Sequence, residues 1–217
     1  MKVYRHTNYE EYRKSQLRKY YKKQHVIFAS PEELRTVAEI VKTELPDAKF
    51  GICHGVRTGW EVWYLSNLLP NVKVIGTDIA NVDNPIGGVT VVQWDFHEEN
   101  PEWKEKADFV YSNSWDHSYD IDKAFSCWVS QLRPGGFLFI PWTEFHSGEV
   151  DSADCLSATL EELIRLLKKY VNVETVIKVE QWQNPKYPYW LNLLRILFRR
   201  RPIKSVYLVV GRKGLKQ

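Results

Sequence analysis

Short apolar segments alternate with longer amphipathic segments along most of the chain. We predict strands in the short segments, at 48–53, 72–78, 89–93, 107–112, 136–142, 172–182 and 204–212. We predict helices in the longer ones, at 8–24, 31–45, 58–69, 101–106, 121–132 and 153–169. Strands and helices in alternation are typical of an α/β fold whose parallel sheet is covered on both faces.

The two ends of the chain depart from this alternation. No crossover helix of the usual kind separates segment 172–182 from segment 204–212, so the last strand is expected to return antiparallel. At the amino end, a basic and aromatic helix is followed by a second helix with a capping box at Ser30 and Glu33. We predict one domain over 1–217, with helices over 1–45, a core over 46–213 and an insertion at 184–203.

A loop punctuated by glycines stands between the first predicted strand and the next helix. Gly55 and Gly59 frame this loop, and Asp78 ends the second strand. Glycines let a ligand approach the backbone closely, and a helix amino end offers free N–H donors. A carboxylate at the tip of the next strand can accept two hydrogen bonds from a ribose diol. The unit therefore predicts a site for a nucleoside cofactor.

Further signals follow in order along the chain. Asp95 and Phe96 follow the third strand, Asp108 opens the segment through Asn113, and the turn Leu132-Arg133-Pro134-Gly135-Gly136 precedes the fifth strand. With these signals, residues 30–213 resemble the class I S-adenosylmethionine-dependent methyltransferases of the small-molecule or saccharide type. The resemblance implies a Rossmann-like, doubly wound, seven-stranded sheet with an antiparallel last strand, and S-adenosyl-L-methionine as the cofactor.

The resemblance also implies which residues bind that cofactor. Asp78 would contact the ribose, Asp95 the adenine amino group and Phe96 the adenine ring. The full set is Gly55, Arg57, Gly59, Asp78, Ile79, Asp95, Phe96, Ser112 and Asn113. Each of these residues also has a purely structural interpretation, as a turn glycine, a loop cap or a buried aromatic.

Two positions depart from the family pattern. The family usually has an acidic residue where this chain has Cys53, and commonly has a glycine where it has Arg57. We hypothesise that Arg57 pairs with the carboxylate of the cofactor, and that Glu61 or Asp116 replaces the missing acid toward its amino group.

Candidate catalytic residues follow the fourth and fifth strands. His117, His146 and Glu144 could take a proton from a hydroxyl group, because an imidazole titrates near neutral pH and a carboxylate can act as a base. The alternative is that each one packs or caps the local structure. Trp142 either stacks on a sugar ring or packs. No metal is expected, since the spacing of Glu144, His146, Asp151 and Asp154 does not require one.

Charge and cysteine content limit the partners. A net charge of +3 is too small to indicate nucleic acid, and three scattered cysteines are typical of reduced thiols in a cytoplasmic protein. The apolar segment 187–201, which ends in arginines, predicts either a buried or dimer-forming helix or a peripheral membrane contact.

The expected function is O-methylation of a hydroxylated small molecule or a saccharide, including a lipid-linked glycan. The alternatives belong to other classes. An NAD-dependent oxidoreductase would need G-x-G-x-x-G, whereas Gly51, Gly55 and Gly59 are spaced by four. A non-catalytic binding module with this fold stays open, because Cys53 replaces an expected acid.

Overall fold

The computed structural model describes residues 1–24, 26–181 and 204–215. The predicted insertion at 184–203, and with it the segment 187–201, lies outside the described residues. The strands are β1 (Lys2–Val3), β2 (Phe50–His54), β3 (Lys73–Asp78), β4 (Val91–Gln93), β5 (Ala107–Tyr111), β6 (Leu132–Trp142), β7 (Leu156–Ser157), β8 (Asn172–Gln181) and β9 (Lys204–Arg212). The helices are α1 (Tyr9–Lys23), α2 (Pro31–Glu44), α3 (Trp60–Leu68), α4 (Ile121–Gln131) and α5 (Leu160–Leu167).

Seven strands form one sheet in the order β4-β3-β2-β5-β6-β9-β8. Strand β9 pairs antiparallel with both β6 and β8, and the other neighbours pair in parallel. The chain winds outward from β2 to β4, then returns to build the other half from β5. The predicted antiparallel last strand is confirmed, and the strand order reverses between β2 and β5.

Helices cover both faces of the sheet, as the doubly wound prediction requires. One buried cluster joins α4 and α5 to the sheet through residues such as Phe125, Trp128 and Leu163. The other joins α2 and α3 through residues such as Leu34 and Val62. With both faces buried, the functional groups are left to the strand ends.

The predicted helix 101–106 is wrong. The segment is a series of turns in which Glu105 has a φ of 54°, a left-handed value that a right-handed helix excludes. Its amides are satisfied by tertiary contacts instead. The backbone N–H groups of Glu105 and Lys106 donate to the carbonyl groups of Ser130 and Gln131, at 2.9 Å in both cases.

The predicted helix 153–169 begins later than expected, at Leu160. Thr159 and Glu162 form a complete capping box there, which fixes the start of the helix. The polar residues Asp151 and Ser152, either of which could cap a helix beginning at 153, do not do so. Asp151 instead closes a turn by accepting from the N–H groups of Ala153 and Asp154. The residues between form β7, which pairs antiparallel with β1 and ties the amino terminus to this loop.

The capping box predicted at Ser30 is only half present. The Ser30 hydroxyl oxygen accepts from the Glu33 N–H at 3.1 Å and caps α2. The Glu33 carboxylate instead accepts a hydrogen bond from the Tyr111 hydroxyl group, deep in the structure. A side chain that looked local in the sequence therefore connects α2 to the carboxyl end of β5.

Candidate functional site

A two-armed cavity lies at the carboxyl edge of the sheet, where the strand order reverses between β2 and β5. The narrow arm encloses about 50 Å³, and its walls include Asp78, Ile79, Asp95 and Phe96. The wide arm encloses about 240 Å³, and its walls include Glu61, Asn113, Asp116, Thr143 and His146. Both arms are lined by Lys19, Gly55, Arg57, Ser114 and His117.

The glycine loop after β2 separates the two arms. Gly55 has a φ of 68°, and a Cβ atom there would lie 2.6 Å from the side chain of Ser114, so only glycine fits. The N–H groups of Gly55 and Val56 both donate to the Thr77 carbonyl oxygen, which fixes the loop against β3. Gly59 is the N-cap residue of α3, and it lines neither arm.

Asp78 is the buried carboxylate of the narrow arm. Its Oδ2 accepts from the Arg57 N–H at 2.8 Å and its Oδ1 from the Ala80 N–H at 2.9 Å. Burial raises the pKa of Asp78 above its ordinary value, although these hydrogen bonds and the Arg57 charge oppose the rise. Each carboxylate oxygen has two lone pairs, so Asp78 can still accept hydrogen bonds from a ligand.

Asp95 is the second carboxylate of the narrow arm, and it is held from two sides. Its Oδ1 accepts from the backbone N–H of His97 and lies 2.7 Å from His97 Nδ1, while its Oδ2 accepts from the Tyr9 hydroxyl at 2.7 Å. Burial by itself raises the pKa of Asp95, but the hydrogen bonds and charge of His97 outweigh it and lower the pKa.

Helix α1 roofs the narrow arm. Tyr12, Gln16, Lys19 and Tyr20 line it from above. The helix is anchored to the loop before β7, because the Ser15 hydroxyl donates to the Ser152 carbonyl at 2.6 Å and Lys19 pairs with Asp154. The sequence predicted an exposed helix that packs one aromatic edge, and Tyr12 of that edge is buried. That the helix lines a cavity was missed; the available signal was the spacing of Tyr12, Gln16, Lys19 and Tyr20 on one face of α1.

Glu61 is the buried acid of the wide arm. It is 5% exposed, and its Oε2 has no hydrogen-bond partner within the described part of the chain. Burial raises the pKa of Glu61 to about 8. Behind it, Cys53 is fully buried, and burial raises the pKa of this thiol well above its ordinary value. A carboxyl group therefore reaches the cavity from the first turn of α3, although none stands at Cys53.

Arg57 supplies a cation beside this acid. Its guanidinium carbon lies 5.0 Å from the centroid of the Phe28 ring, and it forms no ion pair with any carboxylate in residues 1–24, 26–181 and 204–215. Burial lowers the pKa of Arg57, against the attraction of Asp78 and Glu61. The Lys23 ammonium lies 5.7 Å from the centroid of the same ring, so two cations lie at this end of the wide arm.

The two candidate histidines differ in which ring nitrogen is available. His117 Nδ1 lies 2.7 Å from the Ala153 carbonyl, an acceptor, so in the neutral ring Nδ1 carries the proton and Nε2 has the lone pair. His146 Nδ1 accepts from the Thr143 N–H at 2.8 Å, so its proton is on Nε2. Burial also lowers the pKa of His146. Only His117 offers a free basic nitrogen in the neutral state.

Asp116 lies between the two imidazoles. Its Oδ1 is 3.9 Å from His117 Nε2, and its Oδ2 is 4.0 Å from His146 Nε2. Asp154 approaches the other side of His117, with Oδ1 at 3.3 Å from Nδ1. These two carboxylates would stabilise a positive charge on His117 after it takes up a proton.

One group in the described ranges has the proximity needed for a metal ion, namely Asp116, His117 and Asp154. The Lys19 ammonium already pairs with Asp154, and His117 Nδ1 faces a carbonyl oxygen. A divalent cation would have to displace that ammonium. The chemistry of this donor set therefore favours the lysine already present.

The remaining predicted residues stand apart from the cavity. Ser112 is buried behind it, where its hydroxyl donates to the His54 carbonyl and accepts from the Ser114 N–H. Glu144 is exposed and lines neither arm. Trp142 is buried, and its indole N–H donates to the Ala158 carbonyl, so it packs and does not stack on a ligand.

Comparisons with known proteins bear on the fold. No protein-family model and no curated protein sequence matches the chain. Among solved structures, the chain is similar to the 1,6-didemethyltoxoflavin-N1-methyltransferase of Burkholderia thailandensis, with a TM-score of 0.65, 15% identity, and 94% of this chain and 88% of that one covered. It is also similar to the geranyl diphosphate C-methyltransferase of Streptomyces coelicolor, with a TM-score of 0.62, 11% identity, and 93% and 98% covered.

A third similar structure belongs to a protein that is named for an activity other than methyl transfer. The [4+2]-cyclase SpnF has a TM-score of 0.60, with 12% identity and 95% and 94% of the two chains covered. At these identities the likeness shows the fold alone: the Rossmann-like, seven-stranded sheet of class I methyltransferases. No helix in the described ranges is both long enough and apolar enough to cross a bilayer.

Proposed function

We propose that this protein is an S-adenosylmethionine-dependent methyltransferase that methylates a hydroxyl group of a small molecule or saccharide. The observation that carries the proposal is the two-armed cavity at the point where the strand order reverses, which is where open α/β sheets bind ligands. The neighbours named as methyltransferases share the fold, and two of them were crystallised with S-adenosylhomocysteine.

The residues of the narrow arm suit a nucleoside. Asp78 has lone pairs left for a ribose diol, and Asp95 can accept from an exocyclic amino group beside Ile79 and Phe96. A volume of about 50 Å³ has room for only a few water molecules, so α1 has to move away before a nucleoside can enter. Helix α1 is then a cover that closes over the bound nucleoside.

The wide arm suits a hydroxylated acceptor. Its walls include the polar side chains of Asn113, Ser114, Thr143 and Ser157, which can donate to and accept from hydroxyl groups. Phe145 also lines this arm and is 83% exposed, so its ring is available to pack against an apolar sugar face.

The bound cofactor would supply a methyl group already activated by a sulfonium sulfur. The protein then has to align the acceptor and remove its proton. His117 takes that proton on Nε2, and the carboxylates of Asp116 and Asp154 stabilise the resulting imidazolium. His146 carries its proton on Nε2, which lies 4.0 Å from Asp116 Oδ2, and therefore has no free basic nitrogen with which to act as a base.

Calorimetric titration of the purified protein tests this proposal. S-adenosylmethionine and S-adenosylhomocysteine should bind with micromolar affinity, NAD should not bind, and Asp78→Ala should abolish binding. Transfer of an isotope-labelled methyl group to sugars and other hydroxylated acceptors should then be lost in His117→Gln and persist in Glu144→Gln. Absence of binding to the folded protein would overturn the proposal.

Binding without turnover on any acceptor would favour the second candidate, a non-catalytic module with this fold. The feature that favours this alternative is Cys53, which stands where an acidic residue was expected. The neighbour named as a [4+2]-cyclase is itself an enzyme and shows only that the fold does not fix the activity. A cytoplasmic location, a peripheral membrane contact through 187–201 and a homodimer remain parts of the proposal. The three free, buried cysteines support the first of these.

A further inference from the structure

We infer that Arg57 and Glu61 form a clamp for the two charges of an α-amino acid, and that this clamp holds the amino-acid end of the proposed cofactor. Glu61 would accept from the ammonium group, and Arg57 would pair with the carboxylate. The inference rests on the proposed function, and it assigns the role of the acid to Glu61, in the first turn of α3.

The first observation is a buried acid in the wall of the cavity that has an unpartnered oxygen. Glu61 lines the wide arm, is 5% exposed and has an Oε2 atom with no hydrogen-bond partner among the described residues. A buried polar atom without a partner costs free energy, so such atoms are uncommon in folded proteins. A ligand that brings an ammonium group supplies three donors and removes that cost.

The second observation is a cation that the acid does not neutralise. Arg57 lies on the glycine loop four residues before Glu61, yet no ion pair joins the two side chains in the described structure. An acid and a base that face one cavity without pairing are complementary to a zwitterion. An α-amino acid is the small zwitterion that extends from the nucleoside in the proposed cofactor.

The structure also separates Glu61 from Asp116, the other acid considered for this role. Asp116 lies within about 4 Å of His117 Nε2 and His146 Nε2, so its neighbours already include two groups that can carry a proton. Glu61 forms no ion pair with a histidine among the described residues, although its Oε2 and the Oδ1 of Asp116 both lack a hydrogen-bond partner. Asp116 therefore lies beside the two histidines, on the acceptor side of the wide arm. Glu61 lies in the helix turn that follows the glycine loop.

Ammonium binding should be coupled to the release of a proton. Burial raises the pKa of Glu61 to about 8, so most of it is protonated at pH 7.5, and a bound cation would favour its ionised form. The titratable groups that face Glu61 from the surrounding elements are Arg57 of the loop, Glu33 of α2, Cys53 of β2, Asp78 of β3 and Tyr111 of β5.

The test compares two nucleosides that differ only in the amino-acid end. S-adenosylhomocysteine carries the zwitterion, and 5′-methylthioadenosine lacks it. The wild type should bind S-adenosylhomocysteine at least tenfold more tightly. Glu61→Gln should remove most of that advantage and leave the affinity for 5′-methylthioadenosine within about twofold, which also shows that the variant is folded. Glu39→Gln, an exposed change on α2, is the matched control.

Calorimetry in two buffers of different ionisation enthalpy gives a second measurement. Binding of S-adenosylhomocysteine at pH 7.5 should release up to about one proton in the wild type and fewer in Glu61→Gln. Equal affinity of the wild type for the two nucleosides, or an equal loss for both in Glu61→Gln, would overturn the clamp alone. If neither nucleoside binds to the wild type, the proposed function fails first and the clamp fails with it.

Discussion

The two arms of the cavity differ in whether their carboxylates have partners. In the narrow arm, Asp78 accepts from two backbone N–H groups, and Asp95 accepts from His97 and Tyr9. In the wide arm, Glu61 Oε2 and Asp116 Oδ1 are buried without a hydrogen-bond partner among the described residues. Glu33 and Asp154 also line the wide arm, but they are paired with Tyr111 and with Lys19, respectively. The contrast between the arms therefore concerns Glu61 and Asp116, each of which has one unsatisfied oxygen, against the two satisfied carboxylates of the narrow arm.

The difference indicates which carboxylates are oriented before a ligand arrives. A satisfied carboxylate is held in place by its donors and stabilises the fold, so Asp78 and Asp95 are positioned in the free protein even though α1 has to move to admit a nucleoside. An unsatisfied buried carboxylate lowers the stability of the free protein, and a ligand of the right charge reverses that loss. Replacing a carboxylate by an amide should accordingly change the free energy of unfolding in opposite directions in the two arms.

In the wide arm, Glu61→Gln should stabilise the protein at alkaline pH. The folded protein holds the Glu61 proton up to a pKa of about 8, whereas the unfolded chain releases it near the ordinary value of 4.5. The folded state thus binds more protons between these values, and the free energy of unfolding falls as the pH rises through this window. Glutamine does not titrate, so Glu61→Gln loses no free energy of unfolding in this way. The free energy of unfolding of the variant, relative to the wild type, should therefore rise by roughly 2–4 kcal/mol between pH 4.5 and pH 9.

Urea unfolding of the wild type and Glu61→Gln across that range measures the effect. Glu39→Gln, on the exposed face of α2, should follow the wild-type curve at every pH. Parallel curves for wild type and Glu61→Gln would show that Glu61 ionises normally in the folded protein, and the contrast between the arms would then disappear.

In the narrow arm, Asp78→Asn should destabilise the protein. The Arg57 and Ala80 N–H groups need two acceptor atoms, and an amide offers only one oxygen. One backbone donor would be left facing an NH₂ group, at a cost of about 1–3 kcal/mol. Urea unfolding at pH 7 measures this cost, with Asp47→Asn as an exposed control. An unchanged free energy of unfolding would mean that water replaces Asp78 as the acceptor.

The sequence predicted the framework of the narrow arm better than that of the wide arm. Asp78 and Asp95 follow strands whose apolar pattern is regular, so their place at the carboxyl edge follows from the sheet itself. The alternation of strands and helices, and the absence of a crossover helix before β9, are also patterns that can be read along the chain. These features depend on residues that are close together in the sequence.

The wide arm depends on contacts between distant residues. Glu33 has the spacing of a helix cap, but it bonds to Tyr111, which is 78 positions away. Glu144 and His146 are close together in the sequence, yet only His146 lines the cavity. Residues 153–155 were predicted as the start of a helix because polar residues that could cap it precede them. Their observed conformation depends on the Asp151 turn and on the pairing of β7 with the amino terminus. Local patterns carry no information about such tertiary contacts.

The smallest expected effect comes from the cover of the narrow arm. The Tyr9 hydroxyl bonds Asp95 from a partly exposed position, so Tyr9→Phe should weaken the docking of α1 by only about 0.5–1 kcal/mol. Hydrogen–deuterium exchange of the α1 amides should become a few times faster, and S-adenosylhomocysteine should associate faster, because α1 has to move before the narrow arm can fill. Tyr21→Phe is the control: its ring is 63% exposed, and its hydroxyl makes no hydrogen bond within the described residues. If both variants exchange like the wild type, the Tyr9 hydroxyl does not hold α1 in place, and the contacts of Ser15, Gln16 and Lys19 with the loop before β7 are sufficient.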